Sequence, residues 1–259
     1  MTDSDFAPLF AMLDRFQAAG RTATFWWRDD DAADVSPALD RLLQLSAEHA
    51  VPLALAVVPA QASAALGERL RQAPQRVAVL QHGYAHQNHA GANEKKIELG
   101  PQRPAQVVIG ELATGWLRLE TLFAGRALPV LVPPWNRIAS FLVPVLPELG
   151  YRGLSQFGPR RRAMPVKSVI QTNCHIDPIA WRSTRGFVGV PAAIAAAVGH
   201  LEIRLAAAPG SAQAEEPTGL MTHHGAHDAA AWSFLERFLA LASAHPAQRW
   251  LTAHEAFAA

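Results

Sequence analysis

A chain of 259 residues, with 50% hydrophobic and only 17% charged residues, can bury a large core, which excludes a mostly disordered protein. The formal net charge is +1 and the basic residues form no extended face, so we expect no nucleic-acid partner. The single cysteine, Cys174, excludes an intramolecular disulfide and fits a reducing compartment.

The first residues, Met1 to Asp5, lack the basic and apolar segments of a signal peptide. No apolar run approaches the length of a transmembrane helix. We therefore expect a cytoplasmic protein with no membrane partner. The sequence does not predict the oligomeric state.

Helical and strand-like patterns alternate along the whole chain. Apolar residues at helical spacing predict helices, and short apolar or β-branched runs predict strands. The predicted helices are 6–18, 36–49, 63–71, 103–124, 139–149, 191–208 and 229–242. The predicted strands are 22–27, 52–58, 77–81, 128–132, 153–156, 166–174, 219–222 and 250–252. Repeated strand–helix units predict a parallel sheet in one domain, 1–259.

Polar clusters follow five of the predicted strands. They are 29–31, 82–89, 135–137, 175–177 and 223–228, and they contain seven of the 11 histidines. In a (β/α) barrel the carboxyl ends of all strands open on one face, whereas an open sheet spreads them along an edge. A barrel therefore accounts better for five clusters. The arginine run Arg160 to Arg162 is predicted to be a solvated loop, with contact to an anionic substrate as the alternative.

The segment from His82 to His86 has the spacing of metal ligands. A His-x-x-x-His sequence at the end of a buried strand brings two imidazoles within reach of one ion. The acidic triplet Asp29-Asp30-Asp31, at another strand end, offers a carboxylate as the third ligand. A His-x-x-x-His sequence alone more often marks a polar loop, but its pairing with this triplet favours a metal site.

The order of these motifs resembles the polysaccharide deacetylase family, the metal-dependent sugar de-N-acetylases. The resemblance covers about residues 25–252, and its first two segments are together the more specific ones. The matching segments are Asp30-Asp31, His82 to His86, Pro133-Pro134-Trp135, Asp177 with Trp181, and Met221-Thr222-His223. It implies an α/β fold, the distorted (β/α)7 barrel of the polysaccharide deacetylase type with parallel strands.

The resemblance also implies a role for each matched residue. The implied metal ligands are Asp31, His82 and His86. They would hold a divalent ion, with Zn²⁺ preferred. Asp30 would be the general base and His223 the general acid, with Asp177 keeping that histidine charged. Separately from the resemblance, the polar strand-end setting makes Trp135, Asn136, Trp181 and His224 the candidate substrate contacts.

Two repeats within the motifs leave assignments open. The triplet also allows Asp29 as the base and Asp30 as the ligand, in place of Asp30 and Asp31. The consecutive His223 and His224 leave the general acid ambiguous, and we favour His223.

One departure from the family pattern concerns the base. The arginine that normally precedes the Pro-Pro pair is Val132 here. The work of holding the base carboxylate ionised must then fall to Arg28 or Arg137, or be absent; we count Arg137 among the candidate catalytic residues.

The resemblance implies a metal-dependent hydrolase that removes an acetyl or other acyl group from the amide nitrogen of an amino sugar or related soluble substrate. The expected partner is a small molecule or a glycan. The missing arginine favours an alternative, a catalytically weak or inactive barrel that binds a glycan or acts as a regulatory module. A weaker alternative is hydrolysis of ester or cyclic amide bonds on the same barrel.

Overall fold

The computed structural model describes residues 2–258, so Met1 and Ala259 of the predicted domain lie outside it. Over this range strands and helices alternate as predicted, except that no α-helix separates β4, β5 and β6. The strands are β1 Ala23–Ala32, β2 Leu53–Val57, β3 Val77–His82, β4 Ala127–Val132, β5 Gly153–Leu154, β6 Ile170–Gln171, β7 Thr218–Thr222 and β8 Gln248–Trp250. The helices are α1 Ala7–Ala18, α2 Pro37–Glu48, α3 Ala64–Arg71, α4 Ala105–Leu122, α5 Val190–Ala206, α6 Ala229–Ser243 and α7 Ala253–Ala256.

The strands form one curled parallel sheet. Their order is β6-β5-β4-β3-β2-β1-β7, and the short β8 pairs with the start of β1. The two ends of the sheet meet because Ile176, beyond β6, forms a parallel bridge with Leu220 of β7. The Met221 N–H donates to the Ile176 carbonyl at 2.8 Å. These pairings confirm the predicted distorted (β/α)7 barrel with parallel strands.

Side chains along β1 alternate between two apolar layers. Trp26 packs inside the barrel against Leu80 and Met221, whereas Trp27 packs in the layer between sheet and helices. Both faces of a parallel barrel strand are covered, which is why the run before the acidic triplet is apolar on both sides. The same alternation sends Asp29 and Asp30 to opposite faces of the sheet.

Local signals explain where several helices begin. The Ser36 hydroxyl accepts the Leu39 N–H at 3.1 Å, and Pro37 occupies the first turn of α2, as the sequence predicts. The Asp228 carboxylate caps α6 through the Ala231 N–H at 2.8 Å. Among the described helices, none combines the length and the apolar character needed to cross a bilayer.

Two predicted elements are wrong. Residues 139–149 do not form an α-helix but a series of turns with one short 3-10 turn, Val143–Val145. Pro144 and Pro147 lack the N–H groups that a helix needs there. The predicted strand 166–174 is reduced to β6, because a tight turn with Ser168 at φ 67° occupies its first half.

Candidate metal centre and active site

Strand β1 ends in an irregularity that brings two consecutive carboxylates to the barrel mouth. Its pairing with β2 shifts register between Asp29 and Ala32, and Asp31 has a φ of 70°. Neighbouring residues of a regular strand point to opposite faces, so this bulge allows Asp30 and Asp31 to serve one site. Aspartate is one of the residues that tolerate the left-handed conformation.

Asp31 lies between the two histidines of the His-x-x-x-His motif. Its Oδ1 atom is 3.0 Å from Nε2 of His82 and 3.2 Å from Nε2 of His86. The three potential ligand atoms all lie within 4.8 Å of one another. The structure therefore brings together Asp31, His82 and His86, the predicted ligand set, and leaves Asp29 on the other face.

The hydrogen bonding of His82 suits a metal ligand. Its Nδ1 lies 3.0 Å from the Val132 carbonyl, an acceptor only, so Nδ1 carries a proton. The Nε2 lone pair of the neutral ring then faces the Asp31 carboxylate. A lone pair and a carboxylate oxygen repel each other at this distance unless a cation lies between them. A proton can fill that place: burial alone would lower the pKa of His82, but its hydrogen bond to Asp31 and the nearby carboxylates raise it. A divalent ion can bind the same two atoms, Asp31 Oδ1 and His82 Nε2.

The pKa of Asp31 reflects the same pairing. Burial alone would raise the pKa of this carboxyl, but the hydrogen bond from His82 and the charges of nearby histidines hold it well below its usual range. The pKa of His86 is lowered, because burial and the charge of His82 disfavour its protonated form. The cluster thus contains an ionised carboxylate and an unprotonated imidazole, both suited to a divalent cation.

Glu98, which the sequence did not single out, holds the histidine loop in shape. Its buried carboxylate accepts the backbone N–H groups of Tyr84 at 3.0 Å, Ala85 at 2.8 Å and Gln87 at 3.2 Å. Gly83, with φ 55°, lies so close to Glu98 that any side chain there would collide with its carboxylate. Glu98 therefore fixes the turn between His82 and His86.

Arg28 forms a buried, two-pronged pair with Asp30. Its Nε donates to Oδ1 at 2.8 Å and its Nη2 to Oδ2 at 2.9 Å, and both residues are at most 1% exposed. Because the two residues are i and i+2 on β1, both point into the barrel. The sequence offers Arg28 or Arg137 in place of the family arginine that is missing at Val132. Arg28 is the one that pairs with Asp30.

The predicted role of Arg137 beside the base needs correction. Its side chain contacts the loop after the histidine motif, where Nη1 donates to the Lys96 carbonyl at 2.7 Å. Its neighbour Asn136, predicted to contact substrate, accepts a hydrogen bond from Arg28 Nη2 at 2.8 Å. Asn136 thus supports the Arg28–Asp30 pair at the rim of the site.

His223 is the histidine that faces Asp30. Its Nε2 lies 4.0 Å from Asp30 Oδ2, and Trp181 packs edge-on against its ring with centroids 4.7 Å apart. The Trp181 indole N–H donates to Asp177 Oδ2 at 2.8 Å, so Asp177 positions Trp181 directly and the histidine through it. Burial raises the pKa of the Asp177 carboxyl, although the nearby His223 opposes this shift.

The expectation that His224 contacts the substrate needs correction. Its ring is buried on the helix-facing side of the sheet, where Nδ1 lies 2.5 Å from Asp29 Oδ1. The Thr222 hydroxyl donates to the same carboxylate at 2.6 Å. Asp29 and His224 form a structural pair behind the site: Asp29 alternates away from the barrel interior, and His224, in the turn after β7, meets it there.

Left-handed backbone is concentrated around this site. Four non-glycine residues with positive φ belong to it: Asp31, His86, Trp135 and Asn136, with φ between 54° and 70°. The Trp135 ring lies 4.4 Å from the His86 ring, centroid to centroid, and is only partly buried. Such conformations cost about 1–3 kcal/mol each and persist where the surroundings fix them, often at functional sites.

A second group of potential ligands, His175, His200 and Glu216, fits a metal less well. The Gly219 N–H donates to Nδ1 of His175 at 3.0 Å, so the proton of that neutral ring is on Nε2, which faces Glu216. A ligand needs a lone pair at that atom. We interpret this buried cluster as structural: His200 Nδ1 lies 3.0 Å from the Thr218 hydroxyl, and Glu216 accepts the N–H groups of Arg160 and Asn173.

Comparison with known proteins identifies the fold. No sequence-family model matches the chain, and no curated protein matches it in sequence. A candidate polysaccharide deacetylase from Mycobacterium smegmatis has 15% identity, covers 90% of this chain and 88% of its own, and gives a TM-score of 0.60. A peptidoglycan N-acetylglucosamine deacetylase has 14% identity, coverages of 91% and 88%, and a TM-score of 0.52. PuuE allantoinase has 13% identity, coverages of 92% and 90%, and a TM-score of 0.62.

At these identities the similarity is one of fold. The chain has the fold of the polysaccharide deacetylases, and the resemblance seen in the order of its motifs is confirmed at that level.

Proposed function

We propose that this protein is a metal-dependent hydrolase that removes an acyl group, acetyl in the simplest case, from the amide nitrogen of an amino sugar or related small substrate. The observation that carries the proposal is the meeting of Asp31, His82 and His86 beside a carboxylate, Asp30, that is paired with an arginine. A deacetylase with the same fold gives the reaction class.

The metal would be held by the Asp31 carboxylate and the two Nε2 atoms, with Zn²⁺ the preferred ion for two imidazoles and a carboxylate. A divalent ion there would supply polarisation of an acyl carbonyl and would lower the pKa of a water molecule at the site. The rest of the chemistry is assigned to side chains of this chain.

Asp30 is the proposed general base. The two hydrogen bonds from Arg28 fix the plane of its carboxylate, which leaves its remaining lone pairs to accept a proton from the attacking water. His223, with Nε2 4.0 Å from Asp30, is the proposed general acid that protonates the departing amine. Trp181 fixes the ring of that histidine, and Asp177 fixes Trp181.

The Trp135 ring, partly exposed beside His86, is the proposed surface against which a sugar ring stacks. The Trp135 backbone N–H is the proposed partner of the developing oxyanion. Asn136 contributes through Arg28, and the exposed Trp181, packed against His223, is a second proposed substrate contact.

The test is acyl release from a panel of N-acetylated sugars by the metal-loaded protein. We expect release that falls at least a hundredfold in Asp30→Asn, with metal content unchanged, because a positioned base contributes roughly that much. His82→Ala should lose both metal and activity, whereas His89→Ala, in the same loop, should keep both. A metal-loaded wild type that is inert to every acylated substrate would contradict the proposal and leave the binding-module alternative.

The similarity to an allantoinase supports a second candidate reaction. An allantoinase shares the fold with a TM-score of 0.62, so hydrolysis of a cyclic amide belongs in the same substrate panel. Ring opening without release of a separate amine product would identify it. The Arg28–Asp30 pair supports the hydrolase over the inactive-barrel alternative, which the missing family arginine had favoured.

A further inference from the structure

A cleft of about 670 Å³ opens beside the candidate active site, within the range of small-molecule pockets. It lies between the turns after β4 and the loop that follows β5. The residues that matter for its chemistry are Ser140, Gln156, Phe157, Arg161, Arg162 and Gln171. The mechanism proposed above uses none of them.

The cleft is positively charged. Arg161 and Arg162 line it with exposed side chains, and the half-exposed Phe157 adds an aromatic face. Of the cleft-lining residues that the structure describes, none is acidic. A neutral glycan offers these guanidinium groups no counter-charge, whereas a phosphate accepts from two arginines at once.

The loop that presents the arginines is anchored. Arg160 is buried; its N–H donates to Glu216 Oε2 at 2.8 Å and its Nη1 donates to the Gln171 carbonyl at 2.6 Å. A third bond joins its Nε to the Ala212 carbonyl at 2.9 Å. The first arginine of the run therefore fixes the backbone from which the next two extend. Arg161 and Arg162 are exposed, as a solvated loop predicts, whereas Arg160 is buried.

Hydrogen bonds connect the cleft to the reacting groups. Gln156, on the cleft wall, donates through Nε2 to the Asn136 carbonyl at 3.1 Å. The Asn136 side chain in turn accepts from Arg28, the partner of Asp30. Asn136 thus lies between the Arg28–Asp30 pair and Gln156 of the cleft wall, so the cleft adjoins the reacting groups.

We propose that this cleft binds a phosphate group carried by the substrate, so that the preferred substrate is a phosphorylated N-acyl sugar rather than a neutral glycan. The inference rests on the proposed function for the reacting end of that substrate. The phosphate is either a sugar monophosphate or part of a nucleoside diphosphate; in the latter, Phe157 provides a stacking face for the base.

Calorimetric binding of N-acetylglucosamine and of N-acetylglucosamine 1-phosphate tests the subsite without requiring turnover. We expect the phosphate ester to bind at least tenfold more tightly, with a preference that weakens at high salt. Arg161→Gln and Arg162→Gln should each reduce this preference roughly tenfold, as the loss of a charged hydrogen bond predicts. Arg76→Gln, an exposed arginine before β3, is the matched control and should leave the preference intact.

Uridine diphosphate N-acetylglucosamine distinguishes the two phosphate sources. Tighter binding than the monophosphate, lost in Phe157→Ala, identifies the nucleoside diphosphate; equal binding identifies the monophosphate. Equal affinity for the neutral and phosphorylated sugars, or an equal loss in Arg76→Gln, overturns the subsite. Equal acyl release from both sugars in all variants would overturn the phosphate subsite but support the proposed hydrolase. Phosphate-dependent binding without any acyl release would support the subsite but contradict the proposed hydrolase.

Discussion

Replacing Arg28 by methionine should leave a buried carboxylate without its cation. Arg28 and Asp30 are 0% and 1% exposed, and two hydrogen bonds of 2.8 and 2.9 Å join them. Removing one partner of such a pair costs about 3–5 kcal/mol. Arg28 also donates to the Ser155 hydroxyl at 2.6 Å and to Asn136 at 2.8 Å, which places the expected loss in the upper half of that range.

Urea unfolding, followed by tryptophan fluorescence with the slope checked for each variant, measures this loss. The double variant Arg28→Met with Asp30→Asn should be about 2 kcal/mol more stable than the sum of the single effects, because it leaves no unpaired charge. Arg126→Met is the matched control: Arg126 is also buried but donates only to backbone carbonyls, so its loss should cost about 1–2 kcal/mol.

The reasoning fails if Arg28→Met costs no more than Arg126→Met. It also fails if the effects at Arg28 and Asp30 are additive, since additivity would mean that the two charges do not stabilise one another in the folded protein.

Three further predictions concern the histidine loop and a buried histidine. Gly83→Ala should lower metal affinity at least tenfold by equilibrium dialysis, since a side chain there collides with Glu98 and Pro134. Glu98→Gln should lower the same affinity roughly tenfold, because the loop after His82 loses a charged acceptor of three N–H groups. Burial lowers the pKa of His200 from 6.5 to about 4, so the unfolded chain takes up that proton first as pH falls. The contribution of His200 to native stability should therefore fall by on the order of 3 kcal/mol between pH 6.5 and 4, and His200→Gln should flatten the slope of stability with pH in urea unfolding by that amount.

Each of these has a control in the same chain. Gly91→Ala lies in the same loop with ordinary space for a methyl group, and Glu94→Gln removes a nearby exposed carboxylate; both should keep full metal affinity. His254→Gln, on the exposed side of α7, should keep the wild-type slope with pH. Equal losses in the loop controls, or a slope unchanged by His200→Gln, would show that the stated contacts are not the cause.

The sequence predicts the parts of the site that follow strand ends. Asp31, His82 and His86 each follow or end a buried strand, and parallel strands of a barrel open on the same face. The apolar runs therefore predict that the acidic triplet and the histidines lie near one another, and the family resemblance adds the choice of Asp31, His82 and His86. What the sequence left open was which carboxylate of the triplet joins them, because a bulge is set by backbone geometry that residue types do not fix.

Residues that support the site gave no such signal. Glu98 lies in a long polar loop after Glu94, and nothing in its spacing separates the buried carboxylate from the exposed one. Glu216 lies between the predicted helix 191–208 and the predicted strand 219–222, where no pattern marks it, yet it is fully buried and accepts the N–H groups of Arg160 and Asn173. Composition predicts solvent exposure on average, and only tertiary packing decides which polar side chain is enclosed.

The most direct test of the central claim is the position of the metal in a crystal soaked with Zn²⁺ and measured at the zinc absorption edge. We predict one strong anomalous peak about 2.0–2.2 Å from Asp31 Oδ1, His82 Nε2 and His86 Nε2. A peak at His175, His200 and Glu216 with none at Asp31, or no ordered zinc at all, would contradict the account.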